Sequence, residues 1–478
     1  MDAKTFSKFL FIFSLFSSSL LFSGTTGKIA GRAIDSETGE ALIGANVLII
    51  GTNLGAASDI DGFYQIINVP PGAHDLRFSV IGYNALIIKN VKVSVDLTTS
   101  VDAQLQVGEI TVEDVVVVAK RPLIEFDRTS TAAYIDPEQI NTLPVQNVSE
   151  ILQIQAGVTT GSNGDLHFRG GREREVSYIV DGVSVSNPFS QSGGSNVRVE
   201  NSMIGELQVI SGTFNAEYGS AQSGIVNIVT KKPTDEFTAQ VQFFAGDYFS
   251  DKTDRFIGIN EFDPLNEKDL QVTLSGPIIK EKLGFFATGR FYNDNGYLNG
   301  ERRYNPIDGW KINAYRHWFT QKYSSQGSGF GRIPIPDSLK TGDGETIAMS
   351  VKEAYSFTGK LAYYPMPSIS FIYQIFGSAN EDQSYSDGWR YAPDGRNTTY
   401  GNSMSHFLSF RHNPSNTFFY NVRFSYQYNF SESYLYEDSA IADYPGAAGY
   451  LPIGASDDQT GFVQGDNQWG RSETTRKQ

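Results

Sequence analysis

The sequence predicts a mainly β protein with three folded parts. These are a small N-terminal β-sandwich, a mixed α/β domain and the beginning of an antiparallel transmembrane β-barrel. Near the N-terminus, short apolar runs alternate with turn residues at a spacing of roughly ten residues, as in sandwiches. After residue 233, apolar and polar residues alternate strictly, and short and long connections between these runs also alternate. One apolar and one polar strand face suit a barrel wall between lipid and a lumen.

Composition excludes several classes of protein. The 478 residues carry a formal net charge of −15 and no cysteine. The negative balance argues against nucleic acid as a partner, because phosphates favour a basic surface. Without cysteine the chain forms no disulfides and has neither thiol catalysis nor thiolate metal sites. Its five histidines show no close ligand pairing, so we expect neither a metal site nor a cofactor.

Residues 1–26 have the pattern of a secretory signal. Lys4 and Lys8 supply positive charge, and residues 9–22 form an apolar segment that is too short to span a bilayer. Small residues at 23–25 suit cleavage. We therefore predict export, with a retained anchor helix as the alternative.

Residues 27–106 predict the N-terminal β-sandwich. Alternating runs at 45–51 and 76–80 are examples of its strands, and Asp59-Ile-Asp-Gly62 is one of its turns. Four segments together resemble the carboxypeptidase regulatory-like domain: residues 38–47, Asp61-Gly-Phe-Tyr64, Val69-Pro-Pro-Gly72 and Ile81-Gly-Tyr83. That resemblance implies a sandwich without peptidase activity, since no zinc ligand set accompanies it.

Residues 143–232 predict the mixed α/β domain. Ser149 is the expected cap of a short helix that Gly157 ends. The apolar residues of that helix are Ile151, Leu152 and Ile154. Residues 176–183 predict a buried strand closed by an Asp-Gly turn.

The motifs of residues 143–232, taken in order, resemble the plug domain of TonB-dependent outer-membrane receptors. Phe168-Arg-Gly170 stands at the Arg-Gly position of the family, and Tyr178-Ile-Val-Asp-Gly-Val183 matches its Val-Asp-Gly strand. The segment that begins at Glu217-Tyr-Gly matches the closing motif. The residues that the resemblance assigns to the plug motif are Arg169, Gly170, Asp181, Gly182, Tyr218, Gly219 and Gly224.

Two details refine this resemblance. Many siderophore receptors have Arg-Gly where this chain has Ser211-Gly212, and the difference weakens the case for an iron chelate as ligand. In the family, the position of Arg169 lies where the plug meets the barrel wall. A buried guanidinium needs a carboxylate, so we predict an acidic partner for Arg169, with a solvent-facing arginine in a turn as the alternative.

Residues 107–142 predict a linker with an unusual apolar strand. Four consecutive valines favour an extended chain, and the segment resembles the TonB box, which an energy-transducing partner captures by strand addition. The residues assigned to TonB binding are Asp114, Val115, Val116, Val117 and Val118. The alternative is a strand of the neighbouring folded domains.

Residues 233–478 predict part of an outer-membrane barrel. The seven predicted strands lie near 237–245, 270–276, 283–292, 354–364, 368–377, 404–412 and 418–430. A plugged transporter barrel has about 22 strands, so we expect this chain to be the N-terminal part of a longer protein. The long connections hold every tryptophan, and flat aromatic side chains on loops suit ligand capture or anchoring at the membrane interface. The candidate ligand-binding residues are Trp310, Trp318 and Trp389.

The resemblance implies a TonB-dependent receptor that imports a scarce or large ligand through the outer membrane, and not an enzyme. Its implied partners are a TonB-type periplasmic protein, outer-membrane lipid, an extracellular ligand that the sequence does not name, and a surface lipoprotein where the system has one. A structural or adhesive surface protein that reuses the fold is the first alternative. An exported enzyme is the second, although no carboxylate pair or metal set stands out.

Overall fold

The computed structural model describes most of the chain. The described residues are 25–52, 54–108, 115–118, 131–143, 145–161, 166–187, 194–212, 218, 221–306, 308–323, 335–366, 368–415, 418–435 and 472–477. The predicted signal up to residue 24, together with Asp114, Gly219 and Trp469, lies outside these ranges.

The N-terminal part is a sandwich of two sheets. Its strands are β1 (Gly27–Asp35), β2 (Asn46–Ile49), β3 (Gly55–Ala57), β4 (Phe63–Val69), β5 (Gly72–Ser79), β6 (Leu86–Val93), β7 (Thr98–Ser100), β8 (Ala103–Leu105) and β9 (Val115–Val118). One sheet has the order β4-β1-β7, with β8 also on β1, and the other has the order β3-β2-β5-β6-β9. Alternate residues of both sheets, among them Ile29 and Phe78, are completely buried between them.

The predicted linker is wrong in two places. Val115–Val118 form the last strand of the second sandwich sheet, where β9 runs parallel to β6. Strand β10 (Thr131–Ile135) is antiparallel to a plug strand and belongs to the plug sheet. Both segments combine apolar side chains with β propensity, and a neighbouring sheet edge satisfies their backbone groups.

The plug is a five-stranded sheet covered by short helices. Its elements after β10 are α1 (Pro137–Thr142), α2 (Val148–Gln153), β11 (Val158–Thr160), β12 (Leu166–Phe168), β13 (Val176–Val180), β14 (Val183–Ser184), β15 (Ile204–Ser211) and β16 (Gly224–Thr230). The main sheet has the order β10-β15-β16-β13-β14. Every residue of β16 is buried, because the sheet is covered on both faces.

The N-cap of helix α2 is not the residue that we predicted. Asn147, rather than Ser149, has the extended backbone of an N-cap, and its side-chain oxygen accepts from the Glu150 amide at 3.1 Å. The helix buries Ile151 and Leu152 as predicted, but Ile154 lies beyond its last turn and is exposed. The Asn147 side-chain amide also donates to the Glu150 carboxylate at 2.7 Å. The helix therefore begins two residues earlier than predicted.

The barrel part is one antiparallel sheet in which successive strands are neighbours. Its strands are β17 (Thr238–Gly246), β18 (Glu267–Ile279), β19 (Leu283–Asp294), β22 (Val351–Met366), β23 (Ile369–Gln383), β24 (Thr398–Ser415), β25 (Phe418–Tyr434) and β26 (Ser472–Lys477). All seven predicted strands are present, most of them longer than predicted, and β26 was missed. The sheet does not close in this chain.

The long connection between β19 and β22 has secondary structure of its own. It contains strands β20 (Asn299–Glu301) and β21 (Thr346–Ala348), which pair with each other, and helix α3 (Asp308–Tyr323). From the sequence we predicted only a loop between β19 and β22. Within the described part of the chain, no helix is long and apolar enough to cross a membrane.

The two faces of the barrel sheet differ as the alternation predicts. On β25, Val422, Phe424 and Tyr426 are 48%, 72% and 51% exposed on the outer face. On the inner face, Phe286, Phe376 and Phe407 are buried and join the apolar core of the plug. The wall and the plug therefore share one hydrophobic core.

Candidate functional site: the contacts of the plug

A buried arginine of the barrel wall joins the plug to the sheet. Arg290 on β19 contacts Glu200 of the plug at 2.8 Å and Asp269 on β18 at 2.6 Å. A second contact, from Arg290 Nε to the other Asp269 oxygen, makes that pair bidentate. Ser356 on β22 also donates to Glu200 at 2.6 Å. Two carboxylates around one guanidinium give this contact a geometry that a lysine would not reproduce.

Burial alone would raise the pKa of Glu200, but the positive charges of Arg198 and Arg290 outweigh it and hold the pKa below its ordinary range. Glu200 is 2% exposed. The carboxylate is therefore ionised inside the contact, and its charge depends on the two arginines. Without Arg290, the buried Glu200 would keep only Arg198, which is 2.9 Å away and 36% exposed.

A second polar contact surrounds Asp181 of the plug motif. Its carboxylate accepts from the Thr230 amide at 2.9 Å, and Lys360 on β22 lies 3.4 Å away. Gln374 on β23 donates to Asp181 and, at 3.0 Å, to the Thr230 hydroxyl. Burial alone would raise the pKa of Asp181, but the Lys360 ammonium and the hydrogen bonds from Thr230 and Gln374 lower it.

Local backbone geometry and packing explain the glycines of the plug motif that the structure describes. Asp181 and Gly182 both have positive φ, 47° and 78°, which is the geometry of the predicted Asp-Gly turn. Gly170 has φ 78°, a conformation that favours glycine. A Cβ on Gly224 would lie 2.7 Å from the Phe168 ring, so only glycine lets that ring pack against β16.

Arg169 does not occupy the predicted buried ion pair. Its side chain is exposed, its φ is 46°, and it makes no ion pair with a residue that the structure describes. Instead the side chain lies across Gly157 and Gly212, where a Cβ would be 3.4 Å and 2.7 Å from it. The alternative of an arginine in a turn therefore describes this residue, and Arg290 has the role that we predicted for Arg169.

The N-terminal sandwich docks on the plug through a small polar contact. The Val95 amide donates to Glu206 at 2.8 Å, and Tyr218 of the plug motif donates to Asp96. Lys92 pairs with Asp136 at 3.0 Å, just before helix α1. This contact could not be predicted from the sequence, because its residues lie more than 40 positions apart.

Glu206 is the most perturbed carboxyl of this docking contact. Burial, with smaller contributions from the negative charges of Asp96 and Asp136, raises the pKa of Glu206 to about 7. The Val95 amide partly offsets that effect. The contact between the sandwich and the plug therefore contains a carboxyl that titrates near neutral pH.

The valines assigned to TonB binding lie at the free side of the second sandwich sheet. Strand β9 is last in the order of that sheet, and its neighbour is β6. Val116 and Val117 are 53% and 48% exposed. Among the described residues no strand pairs with the other edge of β9, so that edge has the backbone groups that strand addition requires.

The candidate ligand-binding tryptophans have different environments. Trp389 is buried in a small core with Tyr304, Ile312 and Met349, so it offers no surface to a ligand and the prediction for it is wrong. Trp318 on α3 is 50% exposed, with the Lys322 ammonium 4.6 Å from its ring. Trp310 lies in α3, and its side chain is outside the described part.

Sequence comparisons identify the first two folded parts. The model of the CarboxypepD_reg-like domain matches residues 29–117, and the model of the TonB-dependent receptor plug domain matches residues 125–226. The chain therefore has a CarboxypepD_reg-like domain followed by a TonB-dependent receptor plug domain. Its plug motif, its N-terminal domain and its barrel strands all agree with the resemblance stated from the sequence.

Full-length relatives carry the same family description. The TonB-dependent transporter Oar of Myxococcus xanthus is 25% identical over 54% of this chain and 26% of its own. The TonB-dependent receptor P26 of Formosa agariphila is 27% identical over 48% of this chain and 23% of its own. The crystal structure of the siderophore receptor PirA from Acinetobacter baumannii is 18% identical over 72% of this chain and 44% of its own, with a TM-score of 0.44. The chain spans about a quarter of the length of these curated relatives.

Proposed function

We propose that this chain belongs to a TonB-dependent outer-membrane transporter that imports a scarce or large ligand with energy from the inner membrane. The plug closes the lumen, the wall spans the outer membrane, and the long connections meet the ligand. The observation that carries the proposal is the buried contact of Glu200 with Arg290, supported by the shared core. Because a small number of buried polar contacts join the plug to the wall, a partner that pulls on the plug can displace it.

Energy reaches the plug, in this proposal, through the segment 114–118. A TonB-type protein adds a strand to β9 and so gains a hold on the chain that leads into the plug. Strand addition uses backbone groups, and the outer edge of β9 supplies them. Export by a signal segment and a place in the outer membrane belong to the same proposal.

One observation favours a second function. Because β9 is already a strand of the sandwich, its valines also fit a purely structural role. The chain would then be a structural or adhesive outer-membrane protein that has the plug and barrel fold without transport.

Cysteine cross-linking distinguishes the two functions without knowledge of the ligand. This chain has no native cysteine, so Val117→Cys would be the only cysteine in this part of the receptor. We expect it to form a disulfide in cells with a cysteine placed in the C-terminal strand of TonB. Ser100→Cys, exposed on the other sandwich sheet, is the matched control. An absence of adduct at residues 115, 116 and 117 would support the structural function.

A further inference from the structure

A large cavity lies where the sandwich, the plug and the barrel wall meet. Its volume is about 1330 Å³, above the usual 300–1,000 Å³ of small-molecule pockets. The wall residues that line it, such as Thr238, Ser275, Tyr364 and Ser370, lie at the strand ends with short connections. In an outer-membrane barrel these ends face the periplasm. We call this space the lower chamber.

Positive charge converges on the lower chamber from three elements. Arg411 on β24 and Arg423 on β25 line it, together with Lys231 and Lys232, which follow the last plug strand. In the register of the two wall strands, Ser409 is opposite Arg423 and Arg411 is two residues further on. Residues two apart on a strand share a face, and such diagonal neighbours are within roughly 7–8 Å. Arg411 and Arg423 are therefore diagonal neighbours on the face of the wall that lines the chamber.

In the described part of the chain these four cations form no close ion pair, although the negative charge of Asp181 acts on Arg411 and Arg423 and that of Asp235 acts on Lys232. None of the ion pairs formed there includes Arg411, Arg423, Lys231 or Lys232. Arg423 donates to the Thr25 hydroxyl at 3.2 Å, which is a neutral group. Of the four acids on the lining, Asp181 pairs with Lys360, and Asp136 and Glu138 pair with Lys92. Glu206 accepts from the Val95 amide.

The pKa values of the two lysines reflect this arrangement. Burial, then the nearby positive charges of Arg411 and Lys360, lower the pKa of Lys232 to about 7. Burial also lowers the pKa of Lys231. Lys232 is nevertheless accessible from the chamber. An anion between these groups would relieve the repulsion and accept charge-assisted hydrogen bonds from them.

We propose that the lower chamber is a binding site for a multiply charged oxyanion, a solute with phosphate or carboxylate groups, held by Arg411, Arg423, Lys231 and Lys232. Paired guanidinium groups suit the oxygens of either kind of group. The site does not depend on energised transport, since it requires only the assembled receptor. If transport occurs, a cargo that leaves the lumen towards the periplasm enters this chamber.

Titration calorimetry on the purified full-length receptor tests the site. Inorganic pyrophosphate and citrate serve as the two probes at low ionic strength, because one has phosphate and the other carboxylate oxygens. We expect saturable binding of at least one probe. The variant Arg411→Gln/Arg423→Gln should bind roughly a hundredfold more weakly, at about tenfold for each lost charge-assisted contact.

Two further variants separate charge from folding. Lys231→Gln/Lys232→Gln changes the plug side of the chamber and should also weaken binding. Arg411→Lys/Arg423→Lys keeps the charge but not the guanidinium geometry, so it should weaken binding less than Arg411→Gln/Arg423→Gln does. The control Lys252→Gln/Arg255→Gln removes two exposed cations in the connection between β17 and β18. No saturable binding of either probe would overturn the proposal. Equal weakening by the control variant would also overturn it, because the binding would then be a general charge effect.

Discussion

Arg290 of the barrel wall and Glu200 of the plug face each other at 2.8 Å, with side chains that are 3% and 2% exposed. Such a pair is stabilising only while both members are present, since a lone buried charge is costly. The structure adds a third member, Asp269, on the strand next to Arg290. The contact therefore has more negative than positive charge once Arg290 is removed.

Replacement of Arg290 by Gln is the first test of this contact. We expect a loss of about 3–5 kcal/mol in the stability of the plug, because Glu200 keeps only the partly exposed Arg198 and Asp269 loses its cation. Hydrogen–deuterium exchange of β15 and β16 in the full-length receptor measures it. Arg169→Gln is the matched control and should change exchange little, because Arg169 is exposed. Similar effects of the two variants would contradict the central role of Arg290.

The docking of the sandwich should depend on pH through Glu206. Its pKa is about 7 in the docked state, against an ordinary value of 4.5. A raised carboxyl pKa means that the docked state binds more protons, so its contribution is fully present below about pH 4.5. It is lost as the pH rises through about 7. After correction for the intrinsic rise of amide exchange with pH, exchange of the Val95 amide should therefore speed up over this window. Glu206→Gln should keep the corrected exchange slow at all of these pH values, and a pH profile like that of the unmodified receptor would disprove the role of Glu206.

Strand β9 gives a sharp test of the coupling segment. Val116→Pro removes an amide donor and blocks pairing, so it should abolish co-purification of the TonB C-terminal domain and stop energised uptake. Val116→Ala keeps the backbone and should change capture little.

A disulfide can fix β9 on the sandwich while its outer edge stays open. Ile87 is opposite Val116 in the parallel register, so Ile87→Cys/Val116→Cys suits a cross-link. Because strand addition needs only one edge, we expect the locked receptor still to capture TonB. Capture that returns only after reduction would show instead that β9 must leave β6.

The two described tryptophan side chains should differ in their effects. Trp389→Ala opens a cavity in the small core of the long connections and should cost about 3–5 kcal/mol locally. Limited proteolysis of the segment 299–349 should then become faster. Trp318→Ala removes an exposed ring from α3 and should leave proteolysis unchanged. The reverse order would mean that α3, not Trp389, holds these connections together.

Alternation made the barrel strands predictable, because lipid and lumen act on opposite faces of each strand. The motifs around Arg169 and Asp181 likewise placed the plug. The contacts that hold the plug were not predicted, since Glu200 and Arg290 are 90 residues apart and nothing local pairs them. A signal did exist: Arg290, Lys360, Arg411 and Arg423 are charges within alternating strands, where a charge needs a polar interior.

The loop helix and the sandwich strand β9 were missed for other reasons. The aromatic residues of helix α3 are distributed over several of its sides, so its sequence has no clear apolar stripe. For β9 the sequence allowed both a free segment and a structural strand. Only the neighbouring edge of β6, which is distant in sequence, decides between them.

The order of the plug sheet determines how mechanical tension enters it. The covalent chain leads from β9 to Thr131, the first residue of β10, which is the edge strand of the sheet. Tension applied upstream of Thr131 therefore acts first on the pairing of Thr131 with Ser211. Helices α1 and α2 follow along the chain, and the contact of Glu200 with the wall comes after them. A peeled edge strand can open the side of the plug that faces the lower chamber while the anchor to the wall still holds.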